Sequence, residues 1–214
     1  MFTGIVTDIG KVAAVEDHQG TLRRLRINTG YDADGIAIGA SIACSGPCLT
    51  VVARGPRPEG GAWVDLDCAA ETLRLTTAAD WKVGTRLNLE RAMKIGDELG
   101  GHVVTGHVDG IATIAAIEPV TTAMDDGAWG ATARFDIAAP PDLAPFIAAK
   151  GSVALDGTSL TVNTVDGTHF SVLLIPHTME VTTWGARRAG DRLNLEVDLM
   201  ARYVARLAAA GRLG

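Results

Sequence analysis

The sequence predicts an all-β protein built as a tandem duplication, each unit a small closed barrel. The stretch Gly157-Thr158-Ser159-Leu160-Thr161-Val162 repeats Gly46-Pro47-Cys48-Leu49-Thr50-Val51, 111 positions earlier. Other blocks recur in the same order. Phe2-Thr3-Gly4-Ile5-Val6 matches Val104-Thr105-Gly106-His107-Val108, Ala40 to Ala43 matches Gly151 to Ala154, Glu71 to Thr77 matches His177 to Thr183, and Gly84 to Glu90 matches Gly190 to Glu196. The offset drifts from 102 to 111 and back to 106, as expected when only loop lengths differ. Each unit of roughly 90–100 residues, too long for a solenoid repeat, reads as about five or six short strands between Gly- and Pro-rich turns. Closure into a barrel leaves such strands no exposed edge.

The elements follow in order. Thr3 to Val15 alternates loosely and ends in a turn over Glu16-Asp17-His18-Gln19-Gly20. Thr21 to Asn28 sets Leu22, Leu25 and Ile27 among arginines, a strand with one solvent-facing side. Ile36 to Thr50 leads through Gly39 and Gly46 into the first copy of the repeated motif. There a glycine delivers a strand whose alternation puts Cys48 and Thr50 on one face and Leu49 and Val51 on the other. Ser159 and Thr161 are opposed to Leu160 and Val162 in the same way. Gly55 to Gly61 reads as a loop, Trp63 to Asp67 as a half-buried strand, Ala69 to Thr77 as a short helix and Arg86 to Glu90 as a strand. Residues 199–210 place Leu199, Tyr203 and Leu207 at i, i+4 and i+8 among alanines, an amphipathic helix with no counterpart in the first half.

Composition narrows the function classes. No apolar run approaches the roughly 20 residues of a membrane span. The start, Met1 to Val6, lacks the features of a signal peptide. Cys44, Cys48 and Cys68 form neither an even disulfide set nor a C-x-x-C pair, which points to a reducing cytoplasm. A net charge of −6 and 5% aromatic residues argue against a nucleic-acid partner. His102 and His107, five apart, would face opposite sides of a strand and have no nearby second ligand pair, so a shared metal is not expected.

Several stretches together resemble the riboflavin synthases of the alpha-chain type. They are Met1-Phe2-Thr3-Gly4-Ile5-Val6, Gly46-x-Cys48-Leu49-Thr50-Val51, Gly100 to Gly110, Asp156 to Thr161, Ile175-Pro176-His177-Thr178 and Asn194-Leu195-Glu196-Val197-Asp198. The resemblance covers nearly the whole chain. It implies two six-stranded Greek-key barrels, over 1–97 and 98–197, and an oligomerisation helix and tail over 198–214. It also implies a homotrimer held through those helices, with active sites between barrels of neighbouring subunits, and a possible association with lumazine synthase. The implied reaction is a dismutation of two 6,7-dimethyl-8-ribityllumazine molecules by four-carbon transfer, giving riboflavin and 5-amino-6-(D-ribitylamino)uracil. The implied substrate contacts from the first half are Gly4, Ile5, Val6, Ser41, Cys48, Leu49, Thr50, Asp67, Cys68, Ala69, Ala70, Glu71 and Thr72. From the second half they are Gly106, His107, Val108, Lys150, Ser159, Leu160, Thr161, Leu173, Leu174, Ile175, Pro176, His177 and Thr178.

The duplication adds a criterion for chemistry. Positions alike in both halves serve what the halves share; positions that differ can separate the roles of two identical substrates. Three stand out: Cys48 against Ser159, Ile5 against His107, and Ala92 against Asp198. With the resemblance, Ser159 and Asp198 are the expected proton-handling or hydroxyl-activating groups, and Cys48 and His107 their neighbours. Each has a second reading: Cys48 as a buried filler, Asp198 as the cap of the last helix. His102, and the repeated Asn88 and Asn194, read as fold residues. Lumazine or flavin carriers of the same fold share the pocket without turnover, and remain the alternative function.

Overall fold

The computed structural model describes residues 1–18, 21–120 and 131–212. Gln19 and Gly20 of the first turn, and the last two residues of the C-terminal tail, lie outside the described residues. Among the described residues, twelve antiparallel strands form two closed six-stranded barrels. The first comprises β1 (Asp8–His18), β2 (Leu22–Thr29), β3 (Ser41–Cys44), β4 (Cys48–Pro56), β5 (Ala62–Ala69) and β6 (Arg86–Arg91), with helix α1 (Ala70–Leu75) after β5. Its strands run around the barrel as β1-β2-β5-β4-β3-β6. The second comprises β7 (Gly110–Val120), β8 (Thr132–Ala138), β9 (Ser152–Leu155), β10 (Thr158–Asp166), β11 (His169–Leu174) and β12 (Arg192–Val197), with helix α2 (Pro176–Val181). It closes in the equivalent order β7-β8-β11-β10-β9-β12. The non-sequential neighbours give both barrels Greek-key connectivity.

The alternation read in the sequence explains the filling. Leu25, Ile27, Leu49, Val51, Val64, Leu66, Leu87 and Leu89 point into the first barrel. Ile114, Phe135, Ile137, Val153, Leu160, Val162, Val172 and Leu193 do so in the second. Register shifts between Val12 and Ala14 and between Val51 and Ala53 recur between Ile114 and Ala116 and between Val162 and Thr164. Such bulges bend a strand and help a small sheet to close.

Three local readings are corrected. The first strand begins at Asp8, not Thr3, because Phe2 makes a bridge to Val104 and Thr3 turns away beneath Glu90. The loop read from Gly55 is shorter: Gly55 and Pro56 end β4, pairing with Trp63 and Ala62, and only residues 57–61 are irregular. The helix read over Ala69 to Thr77 ends at Leu75, where the Thr76 side chain caps a 3-10 turn over Thr77–Asp80.

The barrels are stitched together by exchanged contacts. Asn88 Nδ2 donates to the Asp156 carbonyl at 2.9 Å, and Asn194 Nδ2 to the Ser45 carbonyl at 2.7 Å. Their Oδ1 atoms accept the backbone N–H of Thr183 at 2.8 Å and of Thr77 at 2.7 Å, each from the opposite half. Phe2, Ala43, Val104 and Ala154 form a separate buried apolar cluster at this seam.

Helix α3 (Leu199–Ala209) leaves the end of β12. Asp198 Oδ1 accepts the Met200 N–H at 2.8 Å and caps it, while Arg202 makes a bidentate pair with Asp109 at 2.6 and 3.0 Å. Met200, Tyr203, Val204 and Leu207 remain exposed. No helix among the described residues is long and apolar enough to cross a membrane.

Candidate functional site

Two equivalent turns, Thr3-Gly4 and Thr105-Gly106, set the geometry of the candidate site. Each is held by a carboxylate from the last strand of its own barrel. Glu90 accepts Thr3 N–H at 2.7 Å, the Thr3 hydroxyl at 2.8 Å and Gly4 N–H at 2.9 Å. Glu196 accepts Thr105 N–H at 2.7 Å, its hydroxyl at 2.6 Å and Gly106 N–H at 2.9 Å. Burial pushes the Glu90 carboxyl up, against the opposing effect of these donors.

Each turn presses on the repeated motif of the other half. Gly4 O accepts Ser159 N–H at 2.8 Å, and Gly106 O accepts Cys48 N–H at 2.9 Å. Both glycines have φ near +75°, and a Cβ there would stand 2.5 Å from Ser159 Cβ or 2.6 Å from Cys48 Cβ. Only glycine fits these two positions.

The halves then differ. Beside Cys48 lies a cavity of about 260 Å³, walled by Pro47, Cys48, Glu71, Thr72, Leu75 and Thr76 of the first half and Gly106, His107 and Val108 of the second. Six of these residues were picked out in the sequence as substrate contacts; Pro47, Leu75 and Thr76 were not. At Ser159 the partner is a histidine: His102 Nδ1 and Ser159 Oγ are 2.7 Å apart, and His102 N–H donates to Thr3 O at 3.1 Å. Burial lowers the His102 imidazole below its ordinary value, opposed by the charges of Asp198 and Glu196. His102 is therefore mainly neutral at pH 7. The sequence reading that gave His102 only a structural part missed this contact. It precedes the blocks that align between the halves, so the repeat comparison had no counterpart against which to judge it.

The family model described as "Lumazine binding domain" matches residues 3–92 and 105–198. Riboflavin synthase of Brucella abortus is 56% identical over 97% of this chain and 98% of its own length. That of Escherichia coli is 38% identical over 92% of this chain and 87% of its own. The chain belongs to the riboflavin synthase family. As a member of that family it is an enzyme. Solved structures of LumP complexed with 6,7-dimethyl-8-(1'-D-ribityl) lumazine and with riboflavin share the fold, at TM-scores of 0.72 and 0.73. They are 23% and 24% identical, and each covers 92% of this chain and 99% of the LumP chain.

The remaining residues that the family resemblance suggested fall into three groups. Leu49, Cys68, Leu160 and Leu174 are buried against the barrel interiors, so their side chains are closed off. Thr50, Ala69, Ala70, Glu71, Lys150, Thr161, Leu173, Ile175 and His177 are exposed, as is Ile5, while Val6, Ser41, Pro176 and Thr178 are half-buried. Asp67 is committed to a bidentate pair with Arg24 at 2.7 and 2.9 Å. At its repeat position stands Leu173, whose register partner Arg134 turns instead to Asp136 at 2.8 Å. The two faces beside Cys48 and Ser159 thus form ledges alike in backbone and unlike in polarity. Lys150 holds φ +67° where its counterpart Gly39 holds +84°, an unfavourable backbone for a lysine.

A larger cavity, about 550 Å³, lies between the N-terminal segment and the inter-barrel linker, with Thr3, Ile5, Tyr31, Arg91 and Met93 among its walls. Cys48, Ser159 and His102 do not line it. Among the described residues, no group of three or more His, Cys, Asp or Glu side chains is placed to hold a metal ion.

Proposed function

We propose that this chain converts two molecules of 6,7-dimethyl-8-ribityllumazine into riboflavin and 5-amino-6-(D-ribitylamino)uracil. Four carbons pass from one substrate to the other, and the atoms of the substrates equal those of the products without an added oxidant or reductant. The observation that carries this reading is the contact of His102 with Ser159 on one of two ledges alike in backbone. Two ledges hold two copies of one flat substrate; holding both reactants is a large part of the catalysis. A single base separates their roles.

The chemistry assigned to the residues is as follows. His102 Nδ1 accepts the Ser159 hydroxyl proton, with Nε2 protonated, and so polarises Oγ towards a substrate on that ledge. The pair removes a proton from the 7-methyl group of that substrate or activates a hydroxyl for its C7. The low basicity of the buried imidazole keeps it unprotonated at neutral pH, as a general base requires. Asp198 acts through its charge on His102 while also capping α3. Cys48 and His107, on the opposite ledge, contact the second ring. Thr50, Thr161, Thr72 and Thr178 hydrogen-bond ring edges and ribityl hydroxyls, and Leu173 and Ile175 offer apolar contact.

The exposed Met200, Tyr203, Val204 and Leu207 support trimer formation through α3. Free Cys44, Cys48 and Cys68 support a cytoplasmic setting, and association with lumazine synthase extends the same proposal. The deciding experiment is to incubate the protein with 6,7-dimethyl-8-ribityllumazine and follow riboflavin absorbance. Bound lumazine without product would select the carrier reading instead.

A further inference from the structure

We infer that the seam between the barrels carries a binding site for a small tetrahedral oxyanion of the phosphate class, separate from the lumazine ledges. A cavity of about 230 Å³ opens there, walled by residues of both halves, and three arginines, Arg86, Arg187 and Arg192, converge on it. Arg86 and Arg192 are repeat equivalents at the starts of β6 and β12, so the duplication itself brings them together.

The donors of this cavity outnumber its acceptors. Among the described residues Arg86 has no carboxylate partner. Arg192 meets only Asp80, at 2.7 Å, in a pair whose side chains are 52% and 63% exposed. Such a pair is weakly held and free to rearrange. Arg187 pairs with the buried Asp156, and among the described residues its Nε has no acceptor. A buried donor without an acceptor is costly to the fold.

The hydroxyls point the same way. Ser45 Oγ already accepts Asn88 N–H at 3.0 Å, Thr77 Oγ1 accepts Trp81 Nε1 at 3.2 Å, and Thr85 Oγ1 accepts Lys82 N–H at 3.1 Å. With that acceptor role filled, each has its O–H to give. Guanidinium forks and hydroxyl donors around a cavity of this size suit a phosphate or sulfate, whose oxygens only accept when it is a dianion. Bound there, the anion bridges both halves and tightens the seam next to the Gly46–Cys48 turn.

The test uses the full chain and inorganic phosphate, titrated by calorimetry and by thermal unfolding against chloride at matched ionic strength. The expected result is a saturable heat and a rise in Tm specific to phosphate. Arg86→Gln, which breaks no ion pair, should weaken binding several-fold, and Arg86→Gln with Arg192→Gln at least tenfold, while both variants keep the wild-type circular dichroism. Parallel titration with glycerol phosphate shows whether a free anion or a phosphate ester is preferred; tighter binding of either supports the site. Equal shifts in chloride, a non-saturable response, or wild-type affinity in the double variant overturns it.

Discussion

His102 and Ser159 stand 2.7 Å apart through Nδ1 and Oγ, whereas Cys48, at the repeat position of Ser159, meets Gly106 and shares its cavity with His107. A duplicated fold built two ledges of like backbone, and one of them carries a histidine from the segment between the barrels. Replacing His102 by Gln retains a side chain able to hydrogen-bond Ser159 but removes the base. Turnover should fall by about 10²–10⁴-fold, the usual range for a general base, with KM changed far less. In the wild type, the acid limb of the kcat/KM profile should lie below the ordinary histidine value, because burial lowers this imidazole and the rate is lost as pH falls through its pKa. An unchanged rate in H102Q sinks the assignment.

Asp198 has two roles that substitution can separate. As a cap its oxygen accepts the Met200 N–H at 2.8 Å, which an asparagine oxygen can also do. As a charge it supports the imidazolium form of His102, which asparagine cannot do. Asp198→Asn should leave the unfolding free energy within a few tenths of a kcal/mol and lower turnover, with the acid limb shifted further down. Asp198→Ala should also lose about 1 kcal/mol of stability. Full turnover in the asparagine variant, measured beside urea unfolding, would leave only the cap.

The seam depends on Asn88 and Asn194. Each side chain satisfies one carbonyl and one N–H of the opposite half within a buried setting. Asn88→Ala leaves the Asp156 carbonyl and the Thr183 N–H without partners, at about 2–4 kcal/mol for two buried groups. Denaturant unfolding of N88A should show this loss, and N194A a similar one. A loss under 1 kcal/mol in both would show that the apolar cluster around Phe2 and Val104 holds the barrels by itself.

Much of this was legible in the sequence, because a period-two pattern fixes which side of a strand is buried. Cys48 half-buried, Leu49 buried, Thr50 exposed and Val51 buried is what alternation dictates, and Ser159 to Val162 repeats it. The partners were not legible. Nothing local says that Gly4 presses on Ser159 and Gly106 on Cys48, since these contacts join halves that periodicity treats separately. Asn88 and Asn194 read as fold residues, but their exchange across the seam needs the three-dimensional arrangement. His102 was undervalued for a related reason: repeat comparison can weigh only residues that have a counterpart.

The buried Asp156 gives a pH signature opposite to that of the surface ion pairs. Burial raises its carboxyl to about 6, with Arg187 and the Asn194 N–H pulling the other way. Its value in an unfolded chain is about 3.9. Between these values the folded state holds a proton that the unfolded state has lost, so this group makes stability fall as pH rises from about 4 to about 6. The full swing is up to about 3 kcal/mol, at 1.36 kcal/mol per unit. Asp17, Asp67 and Glu71 are held low by arginines and act in the reverse sense, losing stability on acidification. Comparison with Asp156→Asn, which cannot titrate but can still accept the Asn194 N–H, cancels those contributions. Urea unfolding of both proteins at intervals from pH 4 to 7 should show the wild type losing stability relative to the variant as pH rises through 6. Parallel curves would mean that Arg187 keeps Asp156 ionised throughout.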